Sequence, residues 1–151
     1  MIDTIEIVPA TANDIPALCD LLAVLFAQEA EFTPDRARQQ AGLQAILDAP
    51  EQGTILSARL GPKLVGMTIL LYTISTALGG KVALLEDLVV MQEHRGQGIG
   101  SALLERAIQL AGQNACLRIT LLTDSDNRSA QKFYQRHGFE PSAMLPLRLR
   151  L

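Results

Sequence analysis

The sequence predicts a mixed α/β domain built on one sheet with helices set among its strands. Three observations predict it. Alternating apolar runs read as strands, and apolar stripes at three- and four-residue spacing read as helices. Their order (strand, two helices, three strands, helix, strand, helix, strands) is not the strict alternation of a βαβ fold. With 151 residues, 48% hydrophobic and 19% charged, and no linker or repeat dividing it, the chain is expected to form a single domain over residues 1–151.

Residues 2–8 alternate Ile5 and Ile7 with Thr4 and Glu6 and stop at Pro9, the pattern of a short half-buried strand. Ile15, Leu18, Leu22, Leu25 and Phe26 then recur at helical spacing, with Thr11 or Asn13 as the N-cap, and the helix is expected to end near Glu29. Thr33-Pro34-Asp35 starts a second helix, read with Thr33 as cap and Pro34 as first helical residue; Leu43, Ile46 and Leu47 give its buried stripe, and Pro50 ends it. Residues 54–60, 64–74 and 81–91 form a meander of three strands punctuated by Gly61-Pro62 and Gly79-Gly80. The period becomes helical again from Gly98, with Ile99, Leu103, Ala107, Leu110 and Ala111 on one face and Gly112 as the stop. Residues 117–123 read as a strand. A last helix carries Ala130, Phe133, Tyr134 and His137, capped by Asp126 or Asn127 and stopped by Gly138. From Phe139 onward, Leu145, Leu147, Leu149 and Leu151 alternate with Pro146, Arg148 and Arg150 as closing strands.

Composition removes several classes of function. The net charge of −3 supplies no electrostatic attraction to nucleic acid or anionic lipid. No apolar run is long enough to span a bilayer, and the first residues lack a secretory signal, so a cytoplasmic protein without nucleic-acid or membrane partners is expected. Cys19 and Cys116 lie far apart without metal-ligand neighbours and read as reduced structural residues; no metal site is expected.

Arg95-Gly96-Gln97-Gly98-Ile99-Gly100-Ser101 falls between a strand and a helix, where backbone N–H groups and the helix dipole hold phosphates. It is not a dinucleotide fingerprint, because the third glycine arrives one position early and Ser101 holds its place. Nor is it a Walker A loop, which needs a lysine that this stretch lacks. Arg95-x-x-Gly98-x-Gly100, directly after Leu88-Val89-Val90-Met91, instead resembles the pyrophosphate-binding motif of the GNAT N-acetyltransferase superfamily. Leu85-Glu86-Asp87-Leu88-Val89-Val90 is similar to that family's fourth strand, and Asn127-x-x-Ala130-x-x-Phe133-Tyr134-x-x-x-Gly138-Phe139 to its C-terminal helix motif.

The resemblance implies a central, mostly antiparallel sheet in which strands four and five splay apart to admit acetyl-CoA as co-substrate. It implies that Leu88, Val89 and Val90 present backbone amides to the acetyl group and pantetheine, the oxyanion donor being Val90 or its neighbour. Arg95, Gly96, Gln97, Gly98, Ile99, Gly100 and Ser101 would wrap the diphosphate, while Asn127 and Ala130 would meet the pantetheine arm. Amide formation needs a deprotonated amine and a proton for the departing thiolate; Glu86 is the candidate base and Tyr134 the candidate acid. Asp87 is the alternative base or an acceptor-site residue, and adjacent strand residues are expected on opposite faces. Phe26 and Glu29 are expected beside the acceptor. With no Cys or Ser visibly paired to a base, direct attack in a ternary complex is expected. The motifs are most similar to the diamine and polyamine branch; aminoglycoside, amino-acid or protein amines, or a non-catalytic acyl-CoA sensor, are the alternatives. The alternating C-terminal leucines suggest a strand shared in a homodimer.

Overall fold

A computed structural model describes residues 4–28 and 33–151. Five strands among these residues form one sheet in sequence order: β1 (Ile5–Pro9), β2 (Gly53–Leu60), β3 (Lys63–Ser75), β4 (Gly80–Val90) and β5 (Ile119–Leu121). β1 to β4 pair antiparallel, whereas β5 lies parallel to β4, so the chain must cross over between them. The crossover is made by α3 (Ile99–Gln113).

Two cores sandwich the sheet. On one face α1 (Ile15–Gln28) and α2 (Arg36–Leu47) set Leu18, Leu22 and Leu43 against Ile55, Met67, Ile69 and Val89. On the other, α3 packs Ile99, Leu103, Leu104 and Ala107 onto Leu56, Val65, Leu70 and Leu85, and α4 (Arg128–Arg136) adds Phe133 and Tyr134. Burying such side chains, each worth about 1.5–3 kcal/mol, fixes which face every strand residue takes.

Caps explain where the helices begin and end. Thr11 caps a 3-10 turn, Ala12–Asp14, that leads into α1; the Asp14 carboxylate accepts the Thr11 N–H at 2.8 Å. α2 starts two residues later than Thr33-Pro34 suggests, because Asp35 is the cap: its Oδ1 accepts from the Arg38 N–H at 3.1 Å. A carboxylate caps better than a threonine hydroxyl. α3 runs through Gly112 to Gln113 because the left-handed turn falls on Ala115, at φ 60°. There Cys116 N–H donates to the Ala111 carbonyl and Ala115 N–H to that of Gly112, which closes the last turn without a glycine. α4 stops at Gly138 as its sequence indicates, with φ 95° and the Phe139 N–H donating to the Tyr134 carbonyl.

The closing strands do not form within this chain. Residues 139–151 make no ladder, and Leu145, Leu147, Leu149 and Leu151 are 84–112% exposed. A strand exists only where its backbone groups are paired in a ladder, and residues 139–151 join none among the described residues.

Candidate active site

β4 departs from regular pairing where it matters most. Met67 pairs with Val89 and Ile69 with Glu86, so Asp87 and Leu88 together face the single residue Thr68. This is a β-bulge, with Asp87 in the left-handed region at φ 56°, a conformation that aspartate tolerates better than most residues. Leu85 belongs to the α3 core, and Val89 to the α1/α2 core. The extra residue shifts the alternation by one, and Glu86 and Asp87 both line the cavity on the α1/α2 side. The expectation that the two carboxylates take opposite faces is therefore corrected: the period of two fails at a bulge. Thr68, fully buried, holds the bulge by donating its hydroxyl to the Glu86 carbonyl at 3.1 Å.

β5 pairs with β4 only at Ala83, Leu84 and Leu85. Beyond that point the β4 edge from Glu86 to Val90 has no β5 neighbour, and the two strands part. The Met91 N–H donates to Val65 on β3, while the Val90 carbonyl accepts Arg95 Nε at 3.1 Å. A strand residue directs its N–H and C=O to the same side, so the Val90 N–H points into the opening, and by alternation so does that of Leu88. The Val89 side chain is core. Arg95 thus braces the end of β4 at the mouth of the phosphate turn.

That turn is shaped by two glycines. Gly96 and Gly98 have φ 77° and 83°, and no atom lies within 4 Å of where a Cβ would stand on either. Gly98 is the α3 N-cap and carries no side chain to satisfy the first-turn amides. The first regular α3 bond runs from Ala102 N–H to the Gly98 carbonyl, leaving the N–H groups of Ile99, Gly100 and Ser101 without intrahelical acceptors. The Ile99 side chain anchors the turn in the core, while Gln97 is exposed and Ser101 half-buried. An open cradle of amide donors at a helix N-terminus fits a diphosphate. At Gly100 a Cβ would sit 3.7 Å from Phe133 and 4.0 Å from Val90, ordinary contact, so packing does not demand glycine there.

α4 closes the far side of the opening. Asn127 Oδ1 caps it by accepting the Ala130 N–H at 3.1 Å. The Tyr134 ring stacks edge-on between Phe133 and Phe139, at 5.2 and 5.8 Å, in the same cluster as Leu88 and Val90. Burial pushes its phenol up to about 12, so Tyr134 keeps its proton at neutral pH. His137 is held by its own helix and by α3, with Nδ1 3.0 Å from the Phe133 carbonyl and Nε2 3.7 Å from Glu105.

On the opposite face a cavity of about 340 Å³ opens between α1, α2 and the bulge, lined among others by Phe26, Leu43, Ile46, Ile69, Glu86 and Asp87. Of the two residues expected beside the acceptor, Phe26 lines this cavity and Glu29 falls outside the described residues. Two further wall residues were not legible as site residues. Arg38 and Gln39 come from the first turns of α2. Gln39 is only 7% exposed, and its Nε2 has no hydrogen-bond partner among the described residues. An orphaned buried amide costs about 1–3 kcal/mol. The one sequence signal is its position four residues before Leu43, on the stripe where an apolar residue belongs.

Neither cysteine is an activated nucleophile. Burial pushes both the Cys19 and the Cys116 thiol up, away from the thiolate form. No group of three His, Cys, Asp or Glu among the described residues is placed to hold a metal ion.

The profile of the Acetyltransferase (GNAT) family matches residues 15–139, which include every element of the site above. The chain is 35% identical to the uncharacterized N-acetyltransferase YhfO of Bacillus subtilis (strain 168), over 79% of this chain and 81% of that protein. It is 31% identical to the aminoalkylphosphonate N-acetyltransferase of Salmonella typhimurium, over 91% and 86% of the two chains. Among solved structures, a putative acetyltransferase from Agrobacterium tumefaciens superposes with a TM-score of 0.81 at 28% identity, covering 97% of this chain and 99% of that one. A parted β4/β5 pair, an amide cradle at the α3 N-terminus and a family match across both place the chain in the GNAT family, as an acetyl-CoA-dependent acyltransferase.

Proposed function

We propose that the enzyme moves the acetyl group of acetyl-CoA directly onto a small primary amine, with Glu86 as base and the amide of Val90 as oxyanion donor. The observation that carries this reading is the bulge, which sets two carboxylates on the acceptor side of the strand whose open edge faces the thioester side. A free alkyl amine is protonated at neutral pH, with a pKa of about 10.4. Glu86 takes its proton, directly or through water, and Asp87 helps hold the cation. The amine nitrogen then attacks the thioester carbonyl. The C–N bond forms, the C–S bond breaks, and the carbonyl oxygen is held meanwhile by backbone N–H.

Tyr134 has a narrower role than a free proton donor. Transfer from a phenol at about 12 to a thiolate of ordinary pKa, about 8.5, runs uphill by roughly 5 kcal/mol. The reading is that its hydroxyl donates a hydrogen bond to the departing sulfur, while the proton that completes the thiol comes from the acceptor nitrogen. The amide NH₂ of Asn127, whose carbonyl oxygen is engaged in the cap, and the Ala130 turn meet the pantetheine arm.

The motif resemblance favours di- and polyamines as acceptors, and the Salmonella relative is named for an aminoalkylphosphonate; both are small primary amines, the class proposed here. The chain further acts as a homodimer, with residues 145–151 adding to a partner's sheet. Four exposed alternating leucines and an outer edge at β5 support this. Initial-rate kinetics test the mechanism: intersecting double-reciprocal lines are expected, and parallel lines or a trapped acetyl-cysteine overturn direct attack.

A further inference from the structure

We infer that the acceptor's body beyond its amine is apolar and broad, a ring or a branched chain, and that Gly42 is the specificity-determining residue that admits it. This narrows the class of small primary amines and rests on the acetyltransferase reading. α2 contributes Arg38, Gln39, Gly42, Leu43 and Ile46 to the lining of the cavity. At about 3.6 residues per turn these positions share one helix face, and residues four apart stand one above the other. Arg38, Gly42 and Ile46 are thus a row along the cavity whose middle side chain is missing.

The fold does not call for that gap. Gly42 lies inside α2 and is not among the residues with left-handed backbone, and a Cβ there would meet no atom of the described residues within 4 Å. Glycine in a helix interior is less stable than alanine, so the chain carries here a destabilising residue that neither conformation nor packing requires. What the missing side chain provides is room, for Gly42 is an exposed residue of the cavity lining.

The rest of the lining gives the chemistry of what enters. Leu22 and Phe26, four apart on α1, join Leu43, Ile46 and Ile69 as apolar walls. Asp35, Glu86 and Asp87 against the one guanidinium of Arg38 leave the lining net acidic. Asp35 is engaged by Arg38, accepting its backbone N–H at 3.1 Å and lying 3.6 Å from its guanidinium. One ammonium is therefore matched by the adjacent Glu86 and Asp87, and the described lining offers a second cation no carboxylate but the one Arg38 already holds. A single ammonium on a hydrophobic body suits both parts of the cavity.

Thiol release by the full chain with acetyl-CoA tests this, using straight-chain alkylamines, α,ω-diamines, benzylamine and cyclohexylmethylamine as acceptors. Benzylamine and cyclohexylmethylamine are expected to have the highest kcat/KM. Gly42→Leu completes the row and should lower kcat/KM for these two by about 10- to 200-fold, the range for a methylene misfit in a hydrophobic pocket, while ethylamine turnover and the KM for acetyl-CoA stay unchanged. Gly42→Ala should raise Tm by about 2–4 °C; a fall in Tm would show that the fold itself requires glycine and would overturn the assignment. Equal losses for every amine in Gly42→Leu, or no loss for the two broad ones, overturn it as well, as does a wild-type preference for diamines. Absence of thiol release with every amine overturns the acetyltransferase reading together with it, a failure distinguishable from the others.

Discussion

Replacing Thr68 by valine removes a single hydroxyl from a fully buried, nearly isosteric position, and it is the most direct perturbation of the bulge. In the native chain that hydroxyl donates to the Glu86 carbonyl at 3.1 Å. Without it a shielded carbonyl loses its donor, at a cost of about 1–3 kcal/mol. Taking about 2 kcal/mol and a urea m-value of about 2 kcal/mol/M, the unfolding midpoint should fall by about 1 M. Thr68→Ser is the control. It keeps the hydroxyl but loses a buried methyl, worth about 1 kcal/mol, so it too is destabilised, though less. Activity separates the two variants. In Thr68→Val the bulge relaxes and carries Glu86 away from the acceptor, and kcat/KM should fall at least tenfold; in Thr68→Ser it should stay near the wild-type value. Urea melts and thiol-release rates on the three proteins provide the assay. If the valine and serine variants have equal kcat/KM, the bulge does not depend on this hydrogen bond and the reasoning fails.

Three further outcomes are expected. Burial works to raise the Asp14 carboxyl, but the hydrogen bonds from Arg59 and from the Thr11 N–H outweigh it and hold the group below its usual range. A depressed folded-state pKa contributes stability above the unfolded value, roughly 3.9, that is lost as pH falls through the folded one. The stability gap between wild type and Asp14→Asn should therefore be full at pH 7 and close below pH 4, as thermal melts across that range would reveal; a gap independent of pH would contradict the pairing. Because burial lifts the Tyr134 phenol to about 12, kcat should show no alkaline loss attributable to it below pH 10, and Tyr134→Phe, which removes a hydrogen bond to a charged sulfur, should lower kcat by about 10- to 100-fold without altering acetyl-CoA binding. An alkaline limb near pH 9 that Tyr134→Phe abolishes would refute that placement. Sedimentation at several concentrations should find a dimer for the full chain and a monomer for a chain ending at residue 143; a full-length monomer throughout removes the shared strand.

Much of this architecture is written in local signals. The glycine turn before α3 was legible because Gly96 and Gly98 sit where left-handed backbone is required, between an apolar strand and an amphipathic helix. Gly138 likewise marked the end of α4. The placement of Glu86 and Asp87 in the cavity lining was not legible in the same way. Strand alternation assigns Glu86 and Asp87 to opposite faces, and only the pairing of β3 with β4 shows that one residue is extra. A bulge is set by the partner strand and the cores on either side, and its one local trace is an aspartate at the left-handed position. Gln39 escaped notice because helical periodicity is read from apolar residues, and a buried polar one interrupts the stripe without announcing a role. The C-terminal leucines show the opposite failure, in which a sound strand pattern has no ladder to join within one chain.

The central claim is that Glu86 draws the proton from an acceptor amine that attacks acetyl-CoA directly. Acetyl-CoA-dependent thiol release against a panel of primary amines, for wild type and Glu86→Gln with acetyl-CoA binding measured in parallel, tests it most directly. The account predicts amine-dependent turnover in the wild type, a loss of about 10²- to 10⁴-fold in kcat/KM for Glu86→Gln at neutral pH, and unchanged acetyl-CoA affinity. Equal turnover by the two proteins, or thiol release that no amine accelerates, would contradict it.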